Sequence, residues 1–501
     1  MVHDEPHEED VLRPLLADQP SPNTTKDQPT TVYWRPTILC ILLFLVMGIG
    51  SFISAAPQLR LFESIICQQY YRDLDALPDG SGIPEQMCKA GPVQAALAEL
   101  VGWQSFFDNI PGLLLALPYG ILADRYGRRL VMTMSFVGQL GGFAWILMVC
   151  WLRLPIKAIW FSSAFLIVGG GTSVAASVVM MVITDSTPEI KRSQIFMWFE
   201  AAVLLAEIVS PPVGSLLMKY SIWLPILINS ACCGVSILLS WYIPETRQYA
   251  VRQANTEHTE TPTTASDEDR SGLHDGSSRA TSLVDNLQKR LLVIISQWNI
   301  FLLVLSFLVA NFARDSMAFL LQYISNRYSW PIAKTSYMLS FRALAQFLQF
   351  LFILPFIDRT MRKRFETRPK EKDLYLSRCS IVIMTLGFAA LGVAPTVGLS
   401  MLGIAIYTVG SGFSTFARSL ISSLMDPTMM GALYSTLAIM ETIGSLLAGP
   451  SMSWAFRWGM DLGGVWLGMP YLIAAVLCAS MTAVTFMVRL DRGVNRVVGG
   501  V

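Results

Sequence analysis

Charge is what this sequence has least of. Only 15% of its 501 residues are Asp, Glu, Lys or Arg, against about 25% in ordinary soluble domains. That scarcity excludes a typical soluble globule, and a hydrophobic content of 53% agrees with it. Histidine is nearly missing as well. The four present, His3, His7, His258 and His274, all lie in polar stretches. With no His/Cys metal spacing and no phosphate loop following a strand, we expect no metal, no cofactor and no enzymatic activity. The formal net charge of +1 gives no ground for a nucleic-acid partner. Cysteine is sparse, eight in all, and Cys40, Cys150, Cys232, Cys233, Cys379 and Cys478 fall in apolar runs, where they read as small packing residues.

What is present is long apolar runs. About 20 apolar residues suffice to cross ~30 Å of hydrocarbon. Twelve stretches qualify, near 37–56, 104–123, 131–151, 158–182, 196–218, 222–243, 299–323, 336–357, 378–394, 398–420, 433–455 and 466–488. The expected fold is an all-α membrane protein of twelve transmembrane helices in two six-helix, pseudo-symmetric halves. The expected division is a disordered cytoplasmic tail 1–36, a first half 37–243, a cytoplasmic linker 244–298, a second half 299–488 and a cytoplasmic tail 489–501. The linker contains "TEHTETPTTASDEDRSG", polar and without apolar periodicity.

An even number of spans puts both termini on one side, and charge chooses the side. If the termini are cytoplasmic, 25 of the 37 Lys and Arg residues face the cytoplasm, nine face outward and three (Arg314, Arg342 and Arg418) lie within spans. That bias is the positive-inside pattern, so both termini are assigned to the cytoplasm. The acidic start "MVHDEPHEED" does not resemble a cleaved leader. On this topology the sequon at Asn23 stays bare. Cys67 and Cys88 share the long outer loop from Pro57 to about Gln94. That face is oxidising, so the two are read as a disulfide pair.

The chain also repeats itself. Shifted by 241 residues, "VGGGTSVAASVVMMVITDSTPEIKRSQIFMWFE" (168–200) aligns without a gap to "VGSGFSTFARSLISSLMDPTMMGALYSTLAIME" (409–441). Matched pairs include Gly169/Gly410, Gly171/Gly412, Asp185/Asp426 and Glu200/Glu441. Spans four and five therefore mirror spans ten and eleven. A parallel duplication of this kind occurs in transporters that hold their solute between two halves near the bilayer midplane.

Between spans two and three stands "GILADRYGRR" (120–129). It resembles the signature G-x-L-x-D-R-x-G-R-R/K of the major facilitator superfamily, and "IPETR" (243–247) resembles a second marker after span six. The resemblance implies a cytoplasmic gate that closes in the outward-open state. In it Gly120 lets helix ends approach, Gly127 makes the turn, Asp124 faces a helix N-terminus of the other half, and Arg125, Arg128 and Arg129 stay in water. Three further segments, the "CQQYY…CKAGPVQAALAELVG" loop, 185–200 and 417–435, resemble the fungal relatives of the proton-coupled folate transporter. That likeness implies a proton-coupling role for Glu200 and a functional Arg418. Where that family has a histidine in span seven, this chain has Arg314 and Asp315.

Ionisable residues inside spans are costly and point to a pathway or a pair. Glu200 and Glu207 lie seven residues apart on span five, about 10 Å along one helix face. Burial favours a neutral carboxyl, so Glu200, Glu207 and Glu441 are the candidates for carrying a proton. Arg418, Arg314, Asp315 and Arg342 are candidates for binding solute or pairing with those acids. A static pair bridging two helices is the structural alternative for each. The expected function is secondary active transport of a small organic solute, possibly an anion, by alternating access with proton coupling. Export of a metabolite or drug by proton antiport is the alternative, and a non-transporting sensor is the alternative of another class. The expected partners are a small-molecule solute, protons and the lipid bilayer. A monomer is expected, in the plasma membrane rather than the vacuole.

Overall fold

The computed structural model describes residues 34–75, 83–187, 189–246, 298–364, 369–425 and 430–488. Most of the two tails and the linker, with Asn23 and Asp426, lies outside the described residues. Among the described residues all regular structure is helical. The first half comprises α1 (Trp34–Asp73), α2 (Gly91–Tyr126), α3 (Arg128–Trp151), α4 (Gly171–Ser186), α5 (Glu189–Leu217) and α6 (Trp223–Tyr242). The second comprises α7 (Trp298–Ser316), α8 (Ile332–Leu348), α9 (Pro369–Val393), α10 (Val397–Gly410), α11 (Met430–Leu462) and α12 (Met469–Met487). Shorter pieces extend three of these: Leu320–Arg327 continues α7, Leu354–Arg364 continues α8 past a π turn, and Phe413–Leu424 continues α10. Ten of the described helices are long and apolar enough to cross a membrane. The shorter α4 and the 33-residue α11 are not among those ten.

One expectation about the connections is corrected. The outer loop expected from Pro57 is largely helix, because α1 runs on to Asp73 and α2 starts at Gly91. Leu61, Phe62, Ile66 and Cys67 recur at helical spacing and are buried against Val93, Leu97 and Leu100 of α2. That apolar face carries the helix through Pro57, whose missing N–H is tolerated in long membrane helices.

The duplication read from the sequence reappears as a shared irregularity. Span four is broken before α4 by Gly169, Gly170 and Gly171, all with positive φ. Span ten is broken at Ser411–Gly412, between α10 and its continuation, which is the same place in the repeat. The mates Gly169 and Gly410 make equivalent contacts. A Cβ on Gly169 would lie 2.2 Å from Ser135 N in α3, and one on Gly410 would lie 2.4 Å from Met384 N in α9. Each half thus presses its fourth span onto its third through a glycine that no larger residue can replace.

Within the first half α1 packs on α5 and α6; within the second, α9 packs on α10 and α12. The halves meet along α2 against α11 and α5 against α8. Close contacts of these interfaces lie toward one end of the bundle, here called the disulfide end because Cys67 and Cys88 are joined there, with 5.3 Å between their Cα atoms. A Cβ on Gly449 of α11 would lie 2.3 Å from the Gly102 carbonyl oxygen of α2. At the same end the Ser215 hydroxyl donates to the Ala333 carbonyl across the halves, at 2.6 Å. The opposite end, which carries the turn at Gly127, is the motif end.

Candidate functional site

Between the halves lies a cavity of about 610 Å³. Its walls come mostly from α7, α8, α10 and α11, with Glu200 of α5 as the contribution from the first half. The lining reaches Ser422, two residues from the end of its helix at Leu424, and Tyr434, four residues into α11. Both positions lie toward the motif end, so the cavity extends in that direction. Toward the disulfide end it is bounded by the contacts just described.

The spans bring six of the seven charged candidates together in two closed pairs and two loosely held residues. Arg342 of α8 pairs with Glu207 of α5, a bridge between the halves whose side chains are only 18% and 7% exposed. Arg418 pairs with Glu441 of α11 and also stacks 5.7 Å from the Phe307 ring. Asn311 fixes that acid's helix by donating to the Glu441 carbonyl at 2.6 Å and to the Ser445 hydroxyl at 2.7 Å. Arg314 has only a 3.7 Å contact from Nε to its neighbour Asp315, and its side chain is 65% exposed. Glu200 has neither a hydrogen bond nor an ion pair among the described residues, and Arg314 is the cation whose field reaches it.

The repeat explains this asymmetry. Glu200 and Glu441 are mates, but at the same offset of 241 residues the mate of Arg418 is Ser177. Ser177 spends its hydroxyl on the Ser173 carbonyl, one turn back along α4. The second half therefore closes its acid with an arginine of its own, whereas the first half leaves its acid open.

At the motif end the turn is built as the sequence suggests, but its contacts differ from the expectation. Gly127 sits at φ +106°, and a Cβ there would lie 2.4 Å from a Glu245 carboxylate oxygen. Glu245, from the "IPETR" stretch, accepts the Arg128 N–H at 3.1 Å and the Arg129 N–H at 3.4 Å. The Arg128 side chain pairs with Asp185 of α4 and lies 3.9 Å from Asp124. Arg129 stacks on Trp241 at 4.2 Å. These partners lie in the first half or, as Glu245 does, directly after it. Among the described residues the expected contact of Asp124 with the other half is absent, and its side chain is 69% exposed. Among the described residues nothing lies within 4 Å of a Cβ built on Gly120, so the close approach expected there is not seen either. Neither Gly120 nor Asp124, then, meets the second half at this end among the described residues.

The model of the Major Facilitator Superfamily matches residues 38–449. The chain belongs to that superfamily. Among curated major facilitator proteins, it is 36% identical over 485 residues to the MFS efflux pump atnC of Emericella nidulans, covering 95% of this chain and 92% of that one. It is 30% identical over 447 residues to the efflux pump ustT of Aspergillus flavus, covering 88% and 85%. Among solved structures, the xylose transporter XylE of E. coli in a partially occluded inward-open conformation aligns with a TM-score of 0.57. That match has 14% identity and covers 92% of this chain and 98% of that one. It shows the major facilitator fold.

Two charged groups escaped the sequence reading. Asp108 lies within the second expected span and accepts the Ser163 hydroxyl at 2.6 Å and the Gln104 amide at 2.8 Å. The signal was available, since an acid inside an apolar run is notable wherever it falls. The second group is a buried cluster at the disulfide end. Glu63 is fully buried and meets Arg60 and Lys89, each at 2.7 Å. Lys89 also donates to Ser325 of the second half at 2.6 Å, and Glu85 accepts the Ile332 N–H at 2.8 Å. Gln322 donates to the Gln94 carbonyl at 2.8 Å. No sequence pattern marked this cluster, because its members come from what reads as an outer loop, from the end of span seven and from the connection that follows it.

Proposed function

We propose that this major facilitator transporter exports a small organic solute from the cytoplasm by proton antiport, using alternating access. The observation that carries the proposal is Glu200, an acid without a partner in a cavity between the two halves. Exposed to the cavity and without a fixed counter-ion among the described residues, such a carboxyl exchanges a proton at little cost in structure. Glu207 and Glu441 are already committed to arginines and serve as the fixed pairs around it. The motif end faces the cytoplasm in this reading, in line with the excess of Lys and Arg in its loops. The structure then represents the state that loads solute from inside. Export, rather than uptake, is favoured by the names of the two relatives, which are similar to this chain over most of its length. The transporter acts as a monomer in the plasma membrane.

The experiment is untargeted metabolite profiling of medium and cells for a deletion strain complemented with the wild-type chain or with Glu200→Gln. The expected result is a compound retained inside deletion cells, released by the wild type and released at least about 10-fold more slowly by Glu200→Gln, a loss of about 1.4 kcal/mol. Full release by Glu200→Gln at normal expression, with unchanged dependence on external pH, would contradict the proton role.

A further inference from the structure

Pairing among the cavity charges singles out two side chains. Arg418 and Arg342 are held by Glu441 and Glu207. Arg314 lines the cavity, and among the described residues its guanidinium meets only Asp315, through Nε, which leaves its two terminal nitrogens without a carboxylate. On the opposite half Glu200 is equally open. A fork of N–H donors fits a carboxylate, and an open carboxylate fits an ammonium group. A purely anionic solute would occupy Arg314 and be repelled by Glu200. A purely cationic solute would do the reverse. From this juxtaposition we infer that the solute is a small zwitterion, with its amine on Glu200 and its carboxylate on Arg314. Phe350, an exposed aromatic side chain that lines the same cavity, offers apolar contact to the body of such a solute.

The inference rests on the export reading and gives it a coupling rule. The ammonium group and a proton cannot both occupy Glu200, so protonation of Glu200 expels the amine and the two ligands exchange. The other groups facing that acid leave the rule intact. Asp315 shares α7 with Arg314, and the Arg342–Glu207 and Arg418–Glu441 pairs are each neutral overall. Between Arg35 and Arg60, α1 has no charged residue, and α6 has none. The one charge on α4, Asp185, is held by Arg128. Tyr434 adds a hydroxyl from α11.

The test is calorimetric binding to the purified full-length protein in nanodiscs at neutral pH. The probes are the dipeptide phenylalanyl-phenylalanine, its methyl ester and its N-acetyl derivative. The expected result is that each blocked form binds about 10- to 100-fold more weakly than the free dipeptide, the loss of one charge-assisted contact. In Arg314→Gln the penalty for the methyl ester disappears, and in Glu200→Gln the penalty for the N-acetyl form disappears. In Arg418→Gln both penalties remain. A wild-type protein that binds all three probes equally overturns the inference without needing any variant to fold. Penalties that survive in folded Arg314→Gln and Glu200→Gln overturn it as well. If profiling shows proton-dependent export while the probes show no zwitterion preference, this inference fails and the export reading stands. If the preference is present and no export occurs, the export reading fails and the binding site stands.

Discussion

The two ends of this bundle hold their charges in opposite ways. At the disulfide end, buried contacts cross from one half to the other: Lys89 to Ser325, Glu85 to Ile332, Gln94 to Gln322. At the motif end, Arg128 and Arg129 bind Asp185 and Glu245 without leaving the first half and the residues directly after it, while Asp124 meets no partner of the other half among the described residues. A charged cluster that bridges halves fixes their spacing. One that stays within a half leaves them free to separate. The difference describes a transporter sealed at one end and parted at the other, with its cavity reaching toward the parted end.

The comparison can be broken most forcefully at Lys89. Removing it by Lys89→Ala leaves buried Glu63 with Arg60 and the Gln94 amide, and losing one partner of a buried ion cluster costs about 3–5 kcal/mol. A large fall in thermal unfolding temperature in detergent is expected, together with faster thiol labelling at the disulfide end. Unchanged stability would mean that the bridging charges do not hold this end shut. Cys67→Ser with Cys88→Ser comes next. The bridge closes a loop between residues 21 apart, and removing it costs about 2–4 kcal/mol. The same freedom is given to Lys89, which immediately follows Cys88, so labelling at the disulfide end should rise here too.

At the motif end the effects are smaller. Gly127→Ala forces a side chain into a positive-φ turn against Glu245, at a cost of about 1–3 kcal/mol, and the loss should appear as a lower unfolding temperature with unchanged closure of the disulfide end. Asp124→Asn touches a largely exposed group and should change stability by less than about 0.5 kcal/mol. A larger change would show that Asp124 already engages the other half. Together the four variants predict a gradient, steep where charges bridge the halves and shallow where they do not.

Much of this architecture is legible in the sequence, and the limits have physical causes. Apolar run length marks the spans because bilayer thickness sets it. The 241-residue offset pairs Glu200 with Glu441 and aligns Gly169–Gly171 with Gly410–Gly412, where the structure breaks both helices, although the apolar runs there read as continuous spans. The offset does not reveal which arginine meets which acid. Arg342 reaches Glu207 only because α5 and α8 cross, a contact between residues 135 apart. The extension of α1 past Pro57 was hidden because proline reads as a helix end in water, whereas here burial of Leu61 and Phe62 carries the helix on. The Gly127 turn was legible, but the partners of Asp124 depend on which conformation the halves adopt, and that is a property of a state rather than of a motif.

The most direct test of the sealed and parted ends is access to the cavity. Thr415→Cys places a thiol on the cavity wall, in a full-length chain that retains Cys67 and Cys88 and lacks the six other cysteines. A membrane-impermeant maleimide is applied to each side of oriented vesicles, with Tyr126→Cys and Tyr220→Cys marking the motif end and the disulfide end. The account predicts that the cavity thiol reacts at least about 10-fold faster from the side that labels Tyr126→Cys, the rate ratio of a ~1.4 kcal/mol difference in access. Equal rates from both sides, or faster reaction from the side that labels Tyr220→Cys, would contradict it.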